Sequence, residues 1–569
     1  MLRRVAPRLA ALLLLVSSAC SAVEPKKVAV PLARKPKLAI AISVDGLAYD
    51  RLMRYRPYYG AGLKRLLDEG LLHSKANYQH LNTETGPGHA ALGTGAPPRV
   101  TGIVANRWFD GKTLKEVYCT NQAPPNASPG STETIPGPAN LRVKTLGDRL
   151  VETFPSARVV SLSGKDRGAI FMAGHDPNHA VYWWDQETGR FVTSAAYNDK
   201  GRDIVRRFNR TKAAGTLPAR LGLVWQKLPG TPDKSWPKPA PGIDYYQLPL
   251  NGLGFGHDLS KNSSGYYGGI YSSPFIDELT MDLALAVLDD GKLELGHRDD
   301  VPDLLCLSFS AQDVVSHNYG NESEENLDVL RRLDVQLGRL FDFVDKSFPK
   351  GTVVMALSAD HGFTPIPEVE KKGGRVVTAR ESSASFIPRI NRIVDEELCL
   401  DTAIARPIYG SEGWNVSYNR AAFPLKTVEG TCGPAGRSVT AADVDAVFPR
   451  LVTKHYREEI EKVLLVSQRP TWDKADRAVG FAENDFDAER SGDAILIPKP
   501  NVLMHWDPGR GSGHGSHHAT DTHVPLVFWG GSIEARTSND EVAPYDFAPT
   551  LGKLLGVTLP QATGRALLP

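Results

Sequence analysis

Acidic and imidazole side chains recur just after apolar runs in this chain. Residues 37–44 (KLAIAISV) lead into Asp45-Gly46, residues 304–309 (LLCLSF) into Asp313 and His317, and residues 352–357 (TVVMAL) into Asp360 and His361. Carboxylate oxygens and imidazole nitrogens together form a donor set that suits zinc. Asp-x-x-x-His brings its two side chains to one face of a helical turn. Adjacent Asp360 and His361 suit a loop that crosses between two metals. Each has a plainer reading on its own: an Asp after a strand commonly caps a helix, and an isolated Asp-x-x-x-His is commonly a surface pair. Their joint placement after successive runs favours a shared site, because helix caps do not require histidines. Near the end, Gly513-His514-Gly515-Ser516-His517-His518 and Asp521-Thr522-His523 leave His514, His517, His518 and His523 open as a further ligand.

Two other segments carry chemistry. In Thr83-Glu84-Thr85-Gly86-Pro87-Gly88-His89, Pro87 fits the first turn of a helix that Gly95 can end. Thr85 would then sit at a helix N-terminus, where N–H groups and the dipole favour an anion. Its hydroxyl could be an activated nucleophile toward phosphorus; the plainer reading is a Thr N-cap, with His89 bonded inside its own helix. The other segment is Ser163-Gly164-Lys165-Asp166-Arg167, after a strand-like run at 158–162. Read as extended chain, it projects Lys165 and Arg167 to one side. Two cations facing one point suit a phosphate dianion, although Lys-Asp-Arg alone is commonly a solvated loop.

These residues need a scaffold that gathers strand ends. The runs at 37–44, 158–162, 304–309, 352–357 and 524–529 read as strands buried on both faces. Between two of them, Leu330, Leu333, Leu337, Leu340 and Val344 step along one face of a long helix. The alternation implies an α/β fold: a central, largely parallel sheet with helices on both faces. Ligands bind outside the carboxyl ends of such strands. Residues 180–300 and 365–500 fit the alternation poorly and are expected as cap insertions. In the first of these, Tyr182, Trp183 and Trp184 are either core or contacts for a leaving group.

The chain has 569 residues with 66 Lys plus Arg against 65 Asp plus Glu, so no electrostatic footprint for nucleic acid exists. Arg3, Arg4 and Arg8 precede an apolar stretch at 10–16 and small residues at 17–22, which reads as a signal peptide over residues 1–22. The stretch is far below the ~20 residues needed to span a bilayer. Cys20 also fits a lipoprotein-type cleavage, leaving a lipid anchor open. Residues 23–36 read as a tether and 37–569 as the catalytic domain. Export permits disulfides: Cys399 and Cys432 flank a polar insertion and could pair, whereas Cys306 lies in a strand-like run.

The order Asp45-Gly46, Thr85-Gly86-Pro87-Gly88-His89, Asp313-x-x-x-His317, Asp360-His361-Gly362 and a late His-Gly-Ser resembles the alkaline phosphatase superfamily, and within it the branch sharing its fold with nucleotide pyrophosphatase/phosphodiesterases. The C-terminal FAPTLGKLLGV (547–557) is similar to that superfamily's usual ending. The resemblance implies two zinc ions, one held by Asp313, His317 and His514, the other by Asp45, Asp360, His361 and Thr85. It implies Thr85 as nucleophile, a phosphothreonine intermediate, and Asn106, Lys165 and Arg167 as phosphate contacts. Lys-x-Arg at this place resembles the signature of the phosphate monoesterases, so an alkaline phosphatase acting on small phosphate monoesters in the periplasm or outside the cell is expected. A diesterase of the same fold is the alternative, and a non-catalytic exported phosphate-binding protein a distant one. Sulfatases are excluded, because Thr85-Gly86-Pro87-Gly88 has neither their oxidisable Cys or Ser nor their Arg.

Overall fold

The computed structural model describes residues 35–568 apart from 129–131, 199–201, 212–216, 231–254, 368–378, 382, 402–405, 430–434 and 505–510. The expected signal peptide (1–22), most of the expected tether (23–36) and Cys432 lie outside the described residues. A nine-stranded sheet forms the centre. Its strands are β1 (Leu38–Val44), β2 (Leu71–Ala76), β3 (Val159–Ser163), β4 (Ala180–Asp185), β5 (Arg190–Val192), β6 (Asp303–Phe309), β7 (Val353–Ser358), β12 (Leu526–Gly530) and β13 (Arg536–Val542). Four further strands belong to a separate small sheet: β8 (Ile408–Glu412), β9 (Asn415–Tyr418), β10 (Ile460–Leu465) and β11 (Ala494–Pro498). The helices that bear on the site or its supports are α1 (Thr85–Thr94), α2 (Asp166–Ala173), α3 (Phe275–Leu288), α4 (Ala311–Tyr319), α5 (Glu324–Ser347), α6 (Ser383–Leu398), α7 (Ala441–His455) and α8 (Phe547–Leu555).

Strand β1 lies between β6 and β7, parallel to both. Leu38, Ile40, Ile42 and Val44 enter one core, Ala39 and Ala41 the other. That two-sided burial is why the run reads as continuously apolar. The α5 face takes Leu327, Leu330, Leu333, Leu337, Leu340 and Val344 into the first core; each fully buried leucine contributes about 1.5–3 kcal/mol. The opposite face carries small side chains, Ala39, Ala41, Cys306 and Ala356, under α1, α2 and α8. Small residues let backbones approach closely. At Gly93 of α1, a Cβ would lie 2.1 Å from the Phe171 carbonyl oxygen of α2.

The parallel core runs β7-β1-β6-β3-β4. Beyond β7 the sheet turns mixed: β12 pairs antiparallel with β7 and with β2. The 180–300 stretch differs from expectation. Strands β4 and β5 are part of the central sheet, and Tyr182, Trp183 and Trp184 are buried in its cores rather than facing a ligand. Their aromatic run is a strand covered on both faces, which composition alone does not separate from an insertion. Helix α3 likewise packs on the central sheet. The 365–500 stretch builds the antiparallel sheet β8-β9-β11-β10. Helices α6 and α7 close a third core there around Phe386, Val416, Phe448 and Leu496. Cys306 and Cys119 are buried free thiols, and Cys399 is disulfide-bonded. Among the described residues no helix is long and apolar enough to cross a membrane.

Candidate active site

Register aligns the strand ends. Val44 is level with Phe309, and Ser43 with Ser308 and Ser358. Asp45, Asp360, His361 and the start of α4 therefore leave the sheet at one edge. The Asp45 N–H still bonds the Phe309 carbonyl (2.9 Å), which continues the sheet one residue past β1. Gly46 then turns with φ +75°, and its N–H donates to Asp360 Oδ1 (3.0 Å). A side chain there would need a left-handed backbone and would crowd Phe363 and Asp313. Helix α4 places Asp313 and His317 one turn apart, with Nε2 3.1 Å from Asp313 Oδ1. Its first N–H groups donate to Asp277 Oδ1 from α3, at 2.8 and 3.0 Å. Burial pushes that carboxyl up to about 7.

Three imidazoles converge on these carboxylates. His361 Nε2 lies 3.4 Å from both Asp45 Oδ1 and Asp360 Oδ2, and His514 Nε2 lies 3.4 Å from Asp313 Oδ1. The His361 and His514 rings stack at 3.5 Å. In all three the Nδ1 faces a backbone carbonyl: Gly362 O for His361 (2.9 Å), Ser512 O for His317 (3.0 Å) and Thr83 O for His514 (2.7 Å). A carbonyl only accepts, so Nδ1 carries a proton in each and Nε2 is the atom left facing the carboxylates. This is how the outer hydrogen bonds of metal-binding histidines fix their tautomer. Of the four late histidines, only His514 joins the group. His518 Nε2 bonds the Pro498 carbonyl, His523 Nε2 bonds the Ser74 carbonyl, and His517 packs against Phe481 and His518.

The donor set fits cations. Among the described residues, Asp45 Oδ1, Asp313 Oδ1, Asp360 Oδ2 and His361 Nε2 are buried, face one another or neighbouring imidazoles, and accept or donate no hydrogen bond that meets ordinary geometry. Orphaned buried acceptors of this kind are costly unless a cation meets them. Ligand atoms of Asp313, His361 and His514, and of Asp45, Asp360 and His361, each fall within 4.8 Å of one another. Three buried carboxylates face one buried ammonium, Lys165, whose Nζ is 2.7 Å from Asp45 Oδ2 and 2.5 Å from Asp313 Oδ2. Burial opposes ionisation of Asp360, yet His361 and His89 outweigh it and hold the carboxyl well below its usual range. Burial likewise opposes the charge on His361, but Asp360 and Asp45 raise it to about 9. That rise expresses the surplus negative charge around Nε2.

Thr85 is the first residue of α1 and is buried. Glu84 holds the N-cap position and makes no side-chain cap, so Thr85 is not an N-cap and its hydroxyl is not spent on the helix. Lys165 Nζ lies 3.4 Å from Thr85 Oγ1. The Gly86 N–H donates to Asn106 Oδ1 (2.8 Å), and the Asn106 N–H donates to Glu84 Oε2 (2.7 Å). His89 bonds inside its helix to Thr85 O (2.9 Å), and also reaches Asp360 Oδ2 (3.1 Å) and Ser308 Oγ (2.8 Å).

Lys165 and Arg167 do not share an extended segment. Lys165 is extended at the N-cap of α2, but Arg167 lies in that helix's first turn. Asp166 opens the turn, where a carboxylate complements the helix dipole. Both cations still line one cavity of about 440 Å³ with Thr85, Asn106, Asp313, His317 and His514. Burial opposes the charge on Lys165, but Asp313 and Asp45 hold it protonated far above its usual range. Arg167 is braced by the Tyr118 hydroxyl (3.0 Å), which itself donates to Asp166 (2.8 Å). Tyr271, Glu412 and Trp414 carry no motif in the sequence; they reach the cavity through tertiary folding alone.

Residues 39–519 match the family model of type I phosphodiesterase / nucleotide pyrophosphatase. The chain belongs to that family, the branch of the alkaline phosphatase superfamily its motifs resemble. It is 28% identical over 558 residues to alkaline phosphatase PafA of Elizabethkingia meningoseptica, covering 94% of each chain. It is 30% identical over 561 residues to alkaline phosphatase PhoK of a Sphingomonas species, covering 94% of this chain and 91% of the relative. The crystal structure of PafA aligns with 95% of this chain and 99% of that chain at a TM-score of 0.79 and 26% identity. The mixed, mostly parallel sheet with its flanking helices is thus the fold of that phosphatase.

Proposed function

We propose that the chain is an exported alkaline phosphatase that hydrolyses phosphate monoesters to an alcohol and inorganic phosphate. Thr85 is the nucleophile and carries the phosphoryl group as phosphothreonine. Asp313, His317 and His514 would hold one zinc ion, and Asp45, Asp360, His361 and Thr85 a second. When bound, they supply Lewis-acid activation and neutralise charge on attacking and leaving oxygens. The observation that carries the monoester reading is the pair of cations, buried Lys165 and partly buried Arg167, lining the cavity that Thr85 enters. Its support from relatives is the near full-length similarity to PafA and PhoK.

The chain's own groups divide the work. Lys165 is held protonated by Asp45 and Asp313, so it acts as a fixed charge rather than a base. With Arg167 it matches the charge of a phosphate dianion. Asn106 is oriented by the Gly86 N–H on its Oδ1, which leaves its Nδ2 to donate to a non-bridging phosphate oxygen. That N–H is consequently not itself available to the phosphoryl group. Helix α1 directs its N-terminal dipole at the same anion. The test pairs a monoester with a diester, p-nitrophenyl phosphate against bis-p-nitrophenyl phosphate, with zinc content measured on the same protein. Preference for the monoester and about two zinc ions per chain support the reading. Preference for the diester would return the family's phosphodiesterase activity as the function. Release of the mature chain from residues 1–22, found by N-terminal sequencing of exported protein, tests the location.

A further inference from the structure

The cavity is electrostatically two-sided, and one of its acidic groups has no role in holding metal or phosphate. Glu412 ends β8, and β8 and β9 form a hairpin in which Glu412 pairs with Asn415. Gly413 and Trp414 make the two-residue tip, with Gly413 at φ +54°, as tight hairpins require. The tip is pinned: the buried Trp414 indole N–H donates to the Gly515 carbonyl (2.5 Å), next to His514. On its other side β8 packs on the segment carrying Arg107, where Phe109 and Tyr409 meet edge to face at 5.1 Å. Glu412 is thus delivered into the wall of the cavity that holds Thr85, Lys165 and Arg167. Its carboxylate makes no hydrogen bond or ion pair among the described residues.

The charges around it are mostly of its own sign. Burial, then Glu84 and Glu116, push its carboxyl up to about 7, and Arg107 pulls the other way. Arg107 is itself committed, paired with Glu116 and stacked over Tyr118 at 5.0 Å. In an in-line displacement the leaving oxygen departs opposite the nucleophile. Thr85, at the start of α1, and Glu412 line the same cavity, so the alcohol part of an ester held at Thr85 leaves within a space that Glu412 helps to wall.

We infer that Glu412 is a specificity-determining residue that selects the leaving group. It favours monoesters of alcohols bearing a cationic group and opposes those whose alcohol carries a carboxylate or further phosphate. The inference rests on the phosphomonoesterase reading and is tested apart from it. The kcat/KM of wild type, Glu412→Gln and Glu412→Lys is measured on phosphocholine and 3-phosphoglycerate at pH 9, where Glu412 is ionised. Wild type should prefer phosphocholine. Its preference should fall about tenfold in Glu412→Gln and further in Glu412→Lys, and should shrink in wild type as salt rises. Phosphocholine to phosphoglycerate ratios that agree within about twofold across all three proteins overturn the inference and leave phosphatase activity standing. Failure of wild type to hydrolyse either ester or p-nitrophenyl phosphate overturns the underlying reading instead.

Discussion

The floor and the wall of one cavity are built by different means. The floor is made where strands end and helices begin: Asp45, Asp360 and His361 follow parallel strands held in register, and Asp313 and Thr85 lie in the first turns of α4 and α1, all of them buried. The wall is made by a cap with its own core, whose hairpin tip reaches the floor through the Trp414 contact to Gly515. Chemistry that needs sub-ångström placement sits on rigid elements. The hairpin supplies no member of the metal-donor set itself, and its Trp414 bond to Gly515 joins it to the residue after His514. The rigidity of the floor follows from how far the strand ends are over-determined: moving Asp45 would move β1, and with it two neighbours.

Substitutions can separate the two regions, and the largest loss should be on the floor. Thr85→Ala should lower kcat on p-nitrophenyl phosphate by on the order of 10³ or more while melting like wild type. Thr85→Ser keeps the hydroxyl and should retain substantial activity. Residual turnover near wild type in Thr85→Ala would place the nucleophile elsewhere. Next comes the cation pair. Lys165→Ala with Arg167→Ala removes two charge-assisted contacts, each about 1.5–3 kcal/mol, so monoester kcat/KM should drop by roughly two to four orders of magnitude. Diester kcat/KM should change far less, since a diester carries one charge fewer. Equal losses on both substrates would make the pair structural.

A smaller effect belongs to the support beneath the floor. His89 ties the Thr85 carbonyl to Asp360 and Ser308. Outer hydrogen bonds of this type are typically worth 10–100-fold in metal affinity or activity. His89→Phe should therefore weaken zinc retention during dialysis against a chelator by about that factor, with added zinc restoring part of the activity. Unchanged zinc retention would reduce His89 to a packing residue.

The smallest expected effect is on stability in acid, with one reporter in each region. Burial pulls His73, on β2 of the central sheet, down to about 4, and His517, against Phe481 of the cap side, down to about 3. An unfolded histidine takes its proton near 6.5. Below that pH the unfolded state binds the proton first, so stability is full above about 6.5 and falls until the folded pKa is reached. For His73 the loss at pH 5 is about 2 kcal/mol. Urea melts of His73→Phe and His517→Phe should each show a shallower decline between pH 6.5 and 5 than wild type. A parallel decline in all three would mean other groups set the acid limit.

What the sequence disclosed follows the same division. Strands buried on both faces leave continuous apolar runs, and a run ending in Asp or Asp-His marks a strand end, so β1, β6 and β7 and the residues after them were legible. Residue types and spacing alone left His514, His517, His518 and His523 open, and only the resemblance of His-Gly-Ser pointed to His514, because the distinction lies in which Nε2 is turned inward by a backbone carbonyl. Ala180–Asp185 looked like an insertion because buried aromatic strands and aromatic cap loops share a composition. Arg167 was expected on an extended chain, whereas Asp166 starts a helix one residue earlier. Glu412 and Trp414 carried no signal at all. Their place depends on a tertiary contact between two segments about a hundred residues apart.

The central claim is a phosphoryl group carried on Thr85. Wild-type protein is mixed with a ³²P-labelled monoester, quenched in acid within the first turnovers, digested and mapped by mass spectrometry. Label is expected on the peptide containing Thr85, as phosphothreonine, and none in Thr85→Ala. Label on another residue, or rapid turnover with no labelled protein under conditions that trap it, would contradict the account.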